Sequence, residues 1–267
     1  MNQQWAGDIS YLCFEKFQRH DEVRHFVSTR QGGCSEGKFG SLNLSIKLDP
    51  HPDSAIENRK RLLDALELPF ESLTLGNQTH SSNVTVVQRT MSGAGARTVQ
   101  TALPETDALV TALPGITISV LVADCVPILL FDPVRRAIGA VHAGRMGTIA
   151  EIAMRTVEKM ATVFSSDPAD IIAGIGPSIC ATHYQVSAEA QQEICTSSSA
   201  DYLLHANGAS YFDLWGANIA HLLSSGVARN NIDVAGLCTF ENSTMFFSER
   251  RDKKPTGRFC AGICMVD

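Results

Sequence analysis

The sequence lacks two features that mark membrane proteins and nucleic-acid-binding proteins. No apolar run approaches the ~18 residues that a membrane-spanning helix needs. The 267 residues carry a formal net charge of −6 and no basic run or stripe, whereas a surface that binds nucleic acid needs clustered Lys and Arg. Both absences argue against a membrane or a nucleic acid as a partner.

Paired cysteines and an export signal are also missing. The eight cysteines are scattered, and none forms a C-x-x-C pair. Residues 1–8 contain neither the basic segment nor the apolar segment of a secretory signal peptide. We therefore expect reduced thiols in a cytoplasmic protein rather than a disulfide framework.

What is present is the composition of an ordinary globular enzyme, with 44% hydrophobic and 19% charged residues. No internal repeat, low-complexity linker or shift in composition divides the chain. Residues 1–267 are therefore predicted to form a single domain with mixed α and β elements.

Helical periodicity and capping signals predict several helices. One is expected to begin at Thr148, which has capping-box spacing to Glu151, and to end at Ser165. Asp53 is expected to cap an earlier helix. The other predicted helices cover residues 53–66, 187–196 and 213–225.

Two apolar, β-branched runs between residues 119 and 144 flank a polar break at residues 132–136. Such runs predict two buried strands joined as a hairpin. With the turn centred just after Pro133, residue i faces residue 267 − i, so that Cys125 faces His142. Cross-strand Cβ atoms lie about 4.5–5.5 Å apart. At that distance a thiolate and an imidazole can share a metal ion or form a Cys–His nucleophile pair.

A catalytic zinc ion would need a third ligand beside Cys125 and His142. His80 is the best candidate, because it lies in a polar break next to a β-rich segment. Catalytic zinc has three protein ligands and an open position, whereas structural zinc usually has four. A buried free cysteine and two hydrogen-bonded histidines are the alternative interpretation. Asp107 and Asp124 stand within apolar strands and are predicted to be structural acceptors or to orient a histidine.

The segment His142-Ala-Gly-Arg-Met-Gly147 joins a predicted strand to a predicted helix. Free N–H groups at a helix start favour an anion such as phosphate, and Arg145 adds positive charge. Four other arginines lie in loops near Gly, Ser or Thr and are further candidates for binding a ligand: Arg30, Arg250, Arg251 and Arg258. The alternative interpretation is that they are solvated surface charges.

Several motifs, taken together, resemble one known family over nearly the whole chain. The chain is similar to the YfiH family, also called the multicopper polyphenol oxidase or laccase-domain family. The resemblance implies an α/β (α+β) fold of mixed β-sheets packed with outer helices. The matching motifs are Ser28-Thr-Arg-Gln-Gly-Gly33, Leu42-Asn-Leu44, Glu57-Asn-Arg59, Gln78-Thr-His80, Thr106-Asp-Ala-Leu-Val-Thr111, Ala123-Asp-Cys-Val-Pro127, Val141-His-Ala-Gly144, Gly176-Pro-Ser-Ile179 and Thr256-Gly-Arg258.

The resemblance also implies a set of site residues. His80, Cys125 and His142 match the metal ligands of the family and are the expected catalytic residues. One zinc ion per chain is expected, with an open fourth position. The residues expected to bind substrate are Arg30, Asn43, Arg145, Gly147 and Arg250.

The chain departs from the family pattern at two places. The family commonly has His-Ala-Gly-Trp-Arg-Gly, whereas residues 142–147 lack the tryptophan and have the arginine one place earlier. Tyr184-Gln-Val186 stands where the family often has Tyr-Glu-Val. The laccase name also fits poorly, because multicopper oxidases need many histidines in H-x-H pairs, and this chain has eight histidines and no such pair.

The function implied by the resemblance is a zinc-dependent purine nucleoside phosphorylase. It would act on adenosine, inosine or methylthioadenosine with phosphate, and adenosine deamination is a further expected activity. Nucleoside and phosphate are the expected partners, and the oligomeric state is left open. A Cys–His hydrolase of cell-wall peptides or other amides is one alternative, with Cys125 as nucleophile, His142 as base and Asp124 or Asp107 orienting the base. A non-enzymatic scaffold is the other alternative.

Overall fold

The computed structural model of the protein describes residues 1–47 and 49–266, so that Leu48 and Asp267 lie outside it. None of the helices in these residues is long and apolar enough to cross a membrane. The helices are α1 (Pro52–Ala65), α2 (Arg145–Ile149), α3 (Ile152–Phe164), α4 (Ala188–Cys195), α5 (Leu214–Ser224) and α6 (Glu249–Asp252). The strands are β1 (Asn2–Ala6), β2 (Ile9–Cys13), β3 (Val23–Ser28), β4 (Leu73–Leu75), β5 (Val84–Val86), β6 (Ala108–Thr111), β7 (Thr117–Val122), β8 (Val126–Asp132), β9 (Ala137–Ala143), β10 (Ile172–Ile175), β11 (Gln185–Val186), β12 (Leu203–Ala206), β13 (Ala209–Phe212), β14 (Ile232–Val234) and β15 (Phe259–Met265).

Two six-stranded sheets of mixed direction form the centre of the fold. The first sheet has the order β1-β2-β3-β15-β7-β4, and the second has the order β14-β10-β8-β9-β6-β5. Most neighbours are antiparallel, but β4 and β7, β5 and β6, and β10 and β14 are parallel. A separate three-stranded sheet has the order β11-β13-β12. The predicted α/β architecture with mixed sheets is confirmed.

The sequence of β8 reflects burial on both faces. Leu129 and Phe131 pack between the two large sheets, whereas Ile128 and Leu130 face α3 and α5 on the other side. Because side chains alternate along a strand, burial of both faces produces the continuous apolar run that the sequence shows. Helix α1 covers the outer face of the first sheet, with Leu62 in that core. The layers are therefore α1, the first sheet, the second sheet, and α3 with α5.

The hairpin between β8 and β9 has a different register from the predicted one. Pro127, not Cys125, pairs with His142, so residue i faces residue 269 − i. The turn comes one residue later than predicted, because Oδ1 of Asp132 accepts two hydrogen bonds of 2.9 Å from backbone N–H groups within the turn. The register shifts by two positions, which keeps every side chain on its predicted face.

The helix predicted from Thr148 is in fact two helices. Helix α2 begins at Arg145 and α3 at Ile152, and Glu151 between them has a left-handed backbone with φ 60°. No side chain caps α3, so the predicted capping box is wrong. The hydroxyl of Thr148 is buried instead and accepts a hydrogen bond from Nδ2 of Asn218 at 3.0 Å.

The other predicted helices are confirmed, with ends that differ by one residue. The predicted cap by Asp53 is wrong, because α1 begins one residue earlier at Pro52 and its N-cap residue, His51, makes no side-chain bond. Proline suits the first helical position, since its missing N–H would have no partner there. Asp53 remains in the first turn, where a negative charge stabilises the helix.

Candidate active site and metal centre

A loop, a bend and the end of a strand bring His80, Cys125 and His142 together. His80 lies between β4 and β5, Cys125 in the bend between β7 and β8, and His142 near the end of β9. Their nitrogen and sulfur ligand atoms all lie within 4.8 Å of one another. Nε2 of His80 is 3.9 Å from Sγ of Cys125, close to the separation of about 3.6 Å between sulfur and nitrogen ligands of tetrahedral zinc. The three residues can therefore hold one metal ion.

Gly144 permits this close approach. A Cβ atom at this position would lie 2.9 Å from Cδ2 of His80 and 3.0 Å from Sγ of Cys125. Both separations are shorter than ordinary van der Waals contact, so any larger residue would displace a ligand.

Asp107 is the acceptor that organises the cluster. Its Oδ1 accepts a hydrogen bond of 2.8 Å from Nδ1 of His142, which leaves Nε2 for the cluster. The same carboxylate accepts bonds of 2.8–3.1 Å from the backbone N–H groups of Thr79, His80 and Ser81. One buried carboxylate thus orients one histidine ring and holds the loop that carries the other. This contact agrees with the predicted role of Asp107 as a group that orients a histidine.

Charges within the cluster shift the pKa values of its members. Burial alone would raise the pKa of the Cys125 thiol, but His142 and His80 together lower it to about 6. Burial alone would lower the pKa of His142, but Cys125 and Asp107 raise it to about 9. The pKa of Asp107 is lowered despite burial, because His142 and Ser81 donate hydrogen bonds to the carboxylate. The two histidines therefore favour the thiolate form of Cys125, which is the form that binds metals.

Asp124 fixes the bend that presents Cys125. Its backbone is left-handed with φ 91°, a conformation that costs about 1–3 kcal/mol outside glycine. Its carboxylate accepts hydrogen bonds from Oγ1 of Thr239 at 2.6 Å and from the backbone N–H of Arg250 at 2.7 Å. The bend ends β7 in one sheet and begins β8 in the other. Asp124 is thus a structural acceptor and does not orient a histidine.

The cluster forms part of the wall of a cavity of about 870 Å³. All three candidate ligands line this cavity, and Tyr184 and Met146 contribute further surface. The volume lies within the range of about 300–1,000 Å³ that is typical of small-molecule sites.

Cationic side chains outnumber carboxylates in the cavity wall. The two carboxylates are Asp124 and Glu249, and Glu249 already forms ion pairs with Arg258 and Lys254. A surplus of positive charge in a cleft favours an anionic ligand. The cationic residues of the wall are Lys47, Arg59, Arg145, Arg250, Lys254 and Arg258.

Two of the residues predicted to bind substrate line the cavity. Arg145 does so at the start of α2, where it forms an ion pair with Glu193. Arg250 also lines it, and its guanidinium donates to the carbonyl oxygens of His183 and Gln185 at 3.2 and 3.0 Å.

The other three predicted substrate residues lie outside the cavity wall. Arg30 donates to the carbonyl oxygen of Gly40 at 2.9 Å and covers an aromatic ring. Asn43 is fully buried and accepts a hydrogen bond of 2.9 Å from the backbone N–H of Arg258. Gly147 is buried within α2. These residues support the segments around the cavity rather than lining it.

Sequence reasoning did not assign roles to Arg59, Gln78 and Tyr184, which also line the cavity. Arg59 is 3% exposed and donates only to backbone carbonyl groups, and burial lowers its pKa to about 10. The Gln78 amide exchanges two hydrogen bonds of 2.8 Å with the backbone of Leu121. Arg59 and Gln78 lie in motifs that carry the family resemblance, and Tyr184 opens one of the two departures from it. Their positions in these motifs are the sequence signal that could have identified them.

Comparisons with known proteins identify relatives that match nearly the whole chain. The sequence pattern of a family described as multi-copper polyphenol oxidoreductase laccase matches residues 24–266. The chain is 32% identical to a purine nucleoside phosphorylase of Bacteroides thetaiotaomicron, with 96% of each chain covered. It is 37% identical to a purine nucleoside phosphorylase of Deinococcus radiodurans, with 90% of this chain and 88% of the relative covered.

Solved structures extend the similarity to the fold. The YfiH protein of Bacillus licheniformis superimposes with a TM-score of 0.91 at 32% identity, and 97% of each chain is covered. YlmD of Geobacillus stearothermophilus superimposes with a TM-score of 0.91 at 31% identity, covering 99% of this chain and 98% of that one. The chain therefore belongs to the YfiH family, whose sequence pattern carries the description multi-copper polyphenol oxidoreductase laccase.

Proposed function

We propose that the protein is a zinc-dependent purine nucleoside phosphorylase that works in the cavity beside His80, Cys125 and His142. The names of the curated relatives support this reaction class. The observation that carries the proposal is the opening of a three-ligand cluster into a cavity with surplus positive charge. Phosphorolysis of a neutral nucleoside requires a site for the phosphate anion, and a metal ligand set in the same cleft would add Lewis-acid polarisation.

The donor set fits zinc. Two imidazoles and one thiolate are ligands that zinc accepts, and three ligands leave one position free for catalysis. A zinc ion held by His80, Cys125 and His142 supplies Lewis-acid polarisation of a substrate oxygen. Asp107 keeps His142 in the tautomer that presents Nε2, so the ligand geometry exists before the substrate arrives.

We assign phosphate binding chiefly to Arg250. Its guanidinium contacts carbonyl oxygens and has no carboxylate partner among residues 1–47 and 49–266, so its charge is not neutralised and some of its five N–H donors stay free for a ligand. Arg145 shares its charge with Glu193 and is the weaker of the two candidates. A guanidinium suits this task because its parallel N–H groups match two oxygens of a phosphate.

Tyr184 and Met146 are our candidates for the surface that receives the purine. Met146 is 42% exposed in the cavity wall, so its side chain offers apolar surface to a ligand in the cavity. Burial raises the pKa of Tyr184 to about 12, so its hydroxyl keeps its proton and can donate a hydrogen bond to the nucleoside. The proposed reaction forms a bond between a phosphate oxygen and the anomeric carbon as the bond to the purine nitrogen breaks.

One observation favours a second candidate function. Cys125, His142 and Asp107 also match the three groups of a Cys–His hydrolase. These are a nucleophilic thiolate, an imidazole base and a carboxylate that orients the base. In that case the protein would cleave an amide without zinc. Metal content and reaction products separate the two functions.

The test is mass-spectrometric product analysis on a panel of purine nucleosides and on peptide amides, with and without phosphate. We expect free purine base with ribose 1-phosphate, and inosine formed from adenosine would report the proposed deamination. Cys125→Ala should lower the zinc content by about one ion per chain and abolish turnover. Unchanged zinc content in that variant would remove the metal assignment, and cleavage of only the amides would support the hydrolase.

A further inference from the structure

A second group of metal-ligating side chains lies outside the cluster described above. Nδ1 of His183 is 3.2 Å from Sγ of Cys180 and 3.8 Å from Sγ of Cys238. The three ligand atoms all lie within 4.8 Å of one another. Oε1 of Glu241 is 3.6 Å from the same Nδ1. None of these four residues belongs to the first cluster.

Two adjacent chain segments present these residues in pairs. Cys180 and His183 have the spacing C-x-x-H, and Cys238 and Glu241 have the spacing C-x-x-E. Two backbone hydrogen bonds of Ser178 join the segments. Its N–H donates to the carbonyl oxygen of Leu237 at 3.2 Å, and its carbonyl oxygen accepts from the N–H of Thr239 at 3.1 Å. Spacings of this kind place two ligands on one side of a short turn, as in structural zinc sites.

We propose that Cys180, His183, Cys238 and Glu241 bind a second zinc ion in a closed, structural site. The separations of 3.2 and 3.8 Å between sulfur and nitrogen lie on either side of the value of about 3.6 Å for tetrahedral zinc. The separation of 3.6 Å between nitrogen and oxygen is close to the expected value of about 3.4 Å. Two thiolates and one imidazole supply three ligands that already lie within 4.8 Å of one another, and the exposed side chain of Glu241 lies outside that group and would turn inward to complete the four-ligand shell.

The surroundings hold the ligands in place without a metal. The ring of His183 stacks on Phe240 with centroids 4.4 Å apart and planes at 16°. The backbone N–H of Cys180 donates to Sγ of Cys238 at 3.3 Å. Burial raises the pKa of Cys238, and the N–H groups of Cys180, Phe240 and Glu241 act in the opposite direction by stabilising negative charge on the sulfur. Hydrogen bonds to a ligand sulfur are a common feature around metal-bound thiolates.

The site also has access to solvent and a connection to the cavity. Cys180 and His183 are partly exposed and Glu241 is exposed, so a metal ion can reach the ligands from outside. Tyr184 follows His183 directly and lines the cavity. Arg250 donates to the carbonyl oxygen of His183 at 3.2 Å. A metal ion at this site therefore fixes the turn that positions both cavity residues.

The experiment measures zinc in the Cys125→Ala protein, in which the first cluster has lost its thiolate. After loading with zinc and removal of excess by gel filtration, this protein should retain about one zinc ion per chain. Adding Cys180→Ser or Cys238→Ser should remove that ion, and adding Cys195→Ser should not, because Cys195 is an exposed cysteine outside both clusters. Circular dichroism and thermal unfolding of each variant show whether it is folded.

Two further readouts apply to protein whose cysteine substitutions impair folding. Cobalt(II) bound to Cys125→Ala protein should show thiolate charge-transfer absorption, and Glu241→Gln, at an exposed position, should weaken zinc retention while preserving that absorption. Amide hydrogen exchange in residues 180–186 should slow when zinc is added. No retained zinc in folded Cys125→Ala protein would overturn the proposal, as would a Cys180–Cys238 disulfide in protein kept under reductant, detected as a cross-linked peptide by mass spectrometry of denatured, chelator-treated protein.

Discussion

At the scale of single residues, the central feature is that one carboxylate positions two candidate metal ligands. Asp107 accepts from the ring of His142 and from the backbone of the His80 loop. Its lowered pKa keeps it ionised, so all of these donors point at a charged acceptor. The geometry of the candidate metal site therefore depends on a residue outside its three candidate ligands.

We predict that Asp107→Asn lowers zinc affinity by about 10–100-fold, the usual effect of changing a group that orients a ligand. An amide carries one oxygen and one NH₂ group, so it cannot accept both from His142 and from the three backbone donors. Competition with a chromophoric zinc chelator measures the affinity.

Asp132→Asn is the matched control, because Asp132 is also a buried carboxylate that accepts two backbone N–H bonds, in the β8–β9 turn. Its zinc affinity should stay at the wild-type value. Equal losses in the two variants would show that the effect of Asp107→Asn is general destabilisation.

Arg250 leads to a second prediction at this scale. Arg250→Ala should raise the KM for phosphate by about 10–100-fold, the range expected for loss of a charged hydrogen bond. Arg145→Ala should have a smaller effect, since Glu193 already neutralises part of the charge of Arg145. Initial rates over a range of phosphate concentrations give both values. Arg250→Lys keeps the charge and should recover part of the loss, and an unchanged KM in Arg250→Ala would contradict the assignment.

The sequence predicted the three candidate metal ligands and Asp107 as a group that could orient a histidine, but not the backbone contacts through which Asp107 holds the His80 loop. Cys125 and His142 could be paired by strand alternation, because a local hairpin relates them, and the register error of two positions did not change their faces. The contacts of Asp107 with Thr79 and Ser81 join residues more than twenty positions apart. No periodicity reports such contacts, so they required the folded chain.

At the scale of elements, the turn from β9 to α2 determines how closely the ligands approach. Gly144 is the N-cap residue of α2 and sits against His80 and Cys125. We predict that Gly144→Ala weakens zinc binding, because its Cβ atom would lie 2.9 Å from the His80 ring. The same chelator competition measures this change.

Met146→Ala is the control for the same turn, since Met146 is exposed and its truncation adds no contact with a ligand. It should retain wild-type zinc affinity. Wild-type zinc affinity in Gly144→Ala would show that the turn can relax without moving the ligands.

The elements also show where sequence patterns fail. The ends of α1, α4 and α5 were predicted within one residue, because apolar periodicity there agrees with the core that each helix covers. The break before α3 was missed, since Glu151 adopts a left-handed backbone that its residue type does not favour. The spacing Cys180-x-x-His183 was visible in the sequence, but only the fold brings Cys238 beside it.

At the scale of the whole molecule, the first and last strands share one sheet and one core. Strand β15 pairs with β3 on one side and with β7 on the other. The core between the two large sheets contains residues from Leu12 to Met265. We therefore propose that the chain is a single domain, for which unfolding should proceed in one transition.

His25 gives this core a defined response to pH. Its Nε2 accepts a hydrogen bond of 2.8 Å from the backbone N–H of Phe14, and burial lowers its pKa to about 4. The unfolded chain binds a proton at this residue near pH 6.5, so between pH 6.5 and pH 4 the unfolded state holds more protons. Stability from this group is therefore complete above pH 6.5 and falls as the pH drops towards 4, by at most about 3 kcal/mol.

Urea unfolding of the wild type and of His25→Gln between about pH 4.5 and pH 7.5 measures this effect, because that range runs from just above the folded pKa of about 4 to well above the unfolded pKa of 6.5. Glutamine can accept the same N–H bond and does not titrate, so the variant should lose less stability at low pH. Equal pH slopes would contradict the assignment to His25. A second transition in the same curves would contradict the single-domain proposal.

The central claim is that phosphate attacks a purine nucleoside in the cavity beside the metal ligands. The most direct measurement supplies zinc-loaded protein with adenosine or inosine and ¹⁸O-labelled inorganic phosphate, then determines the sugar product by mass spectrometry. We predict ribose 1-phosphate that retains every labelled oxygen, no release of base without phosphate, and no product from the Cys125→Ala protein. Release of base at the same rate without phosphate, with free ribose carrying an oxygen from water, would contradict the account.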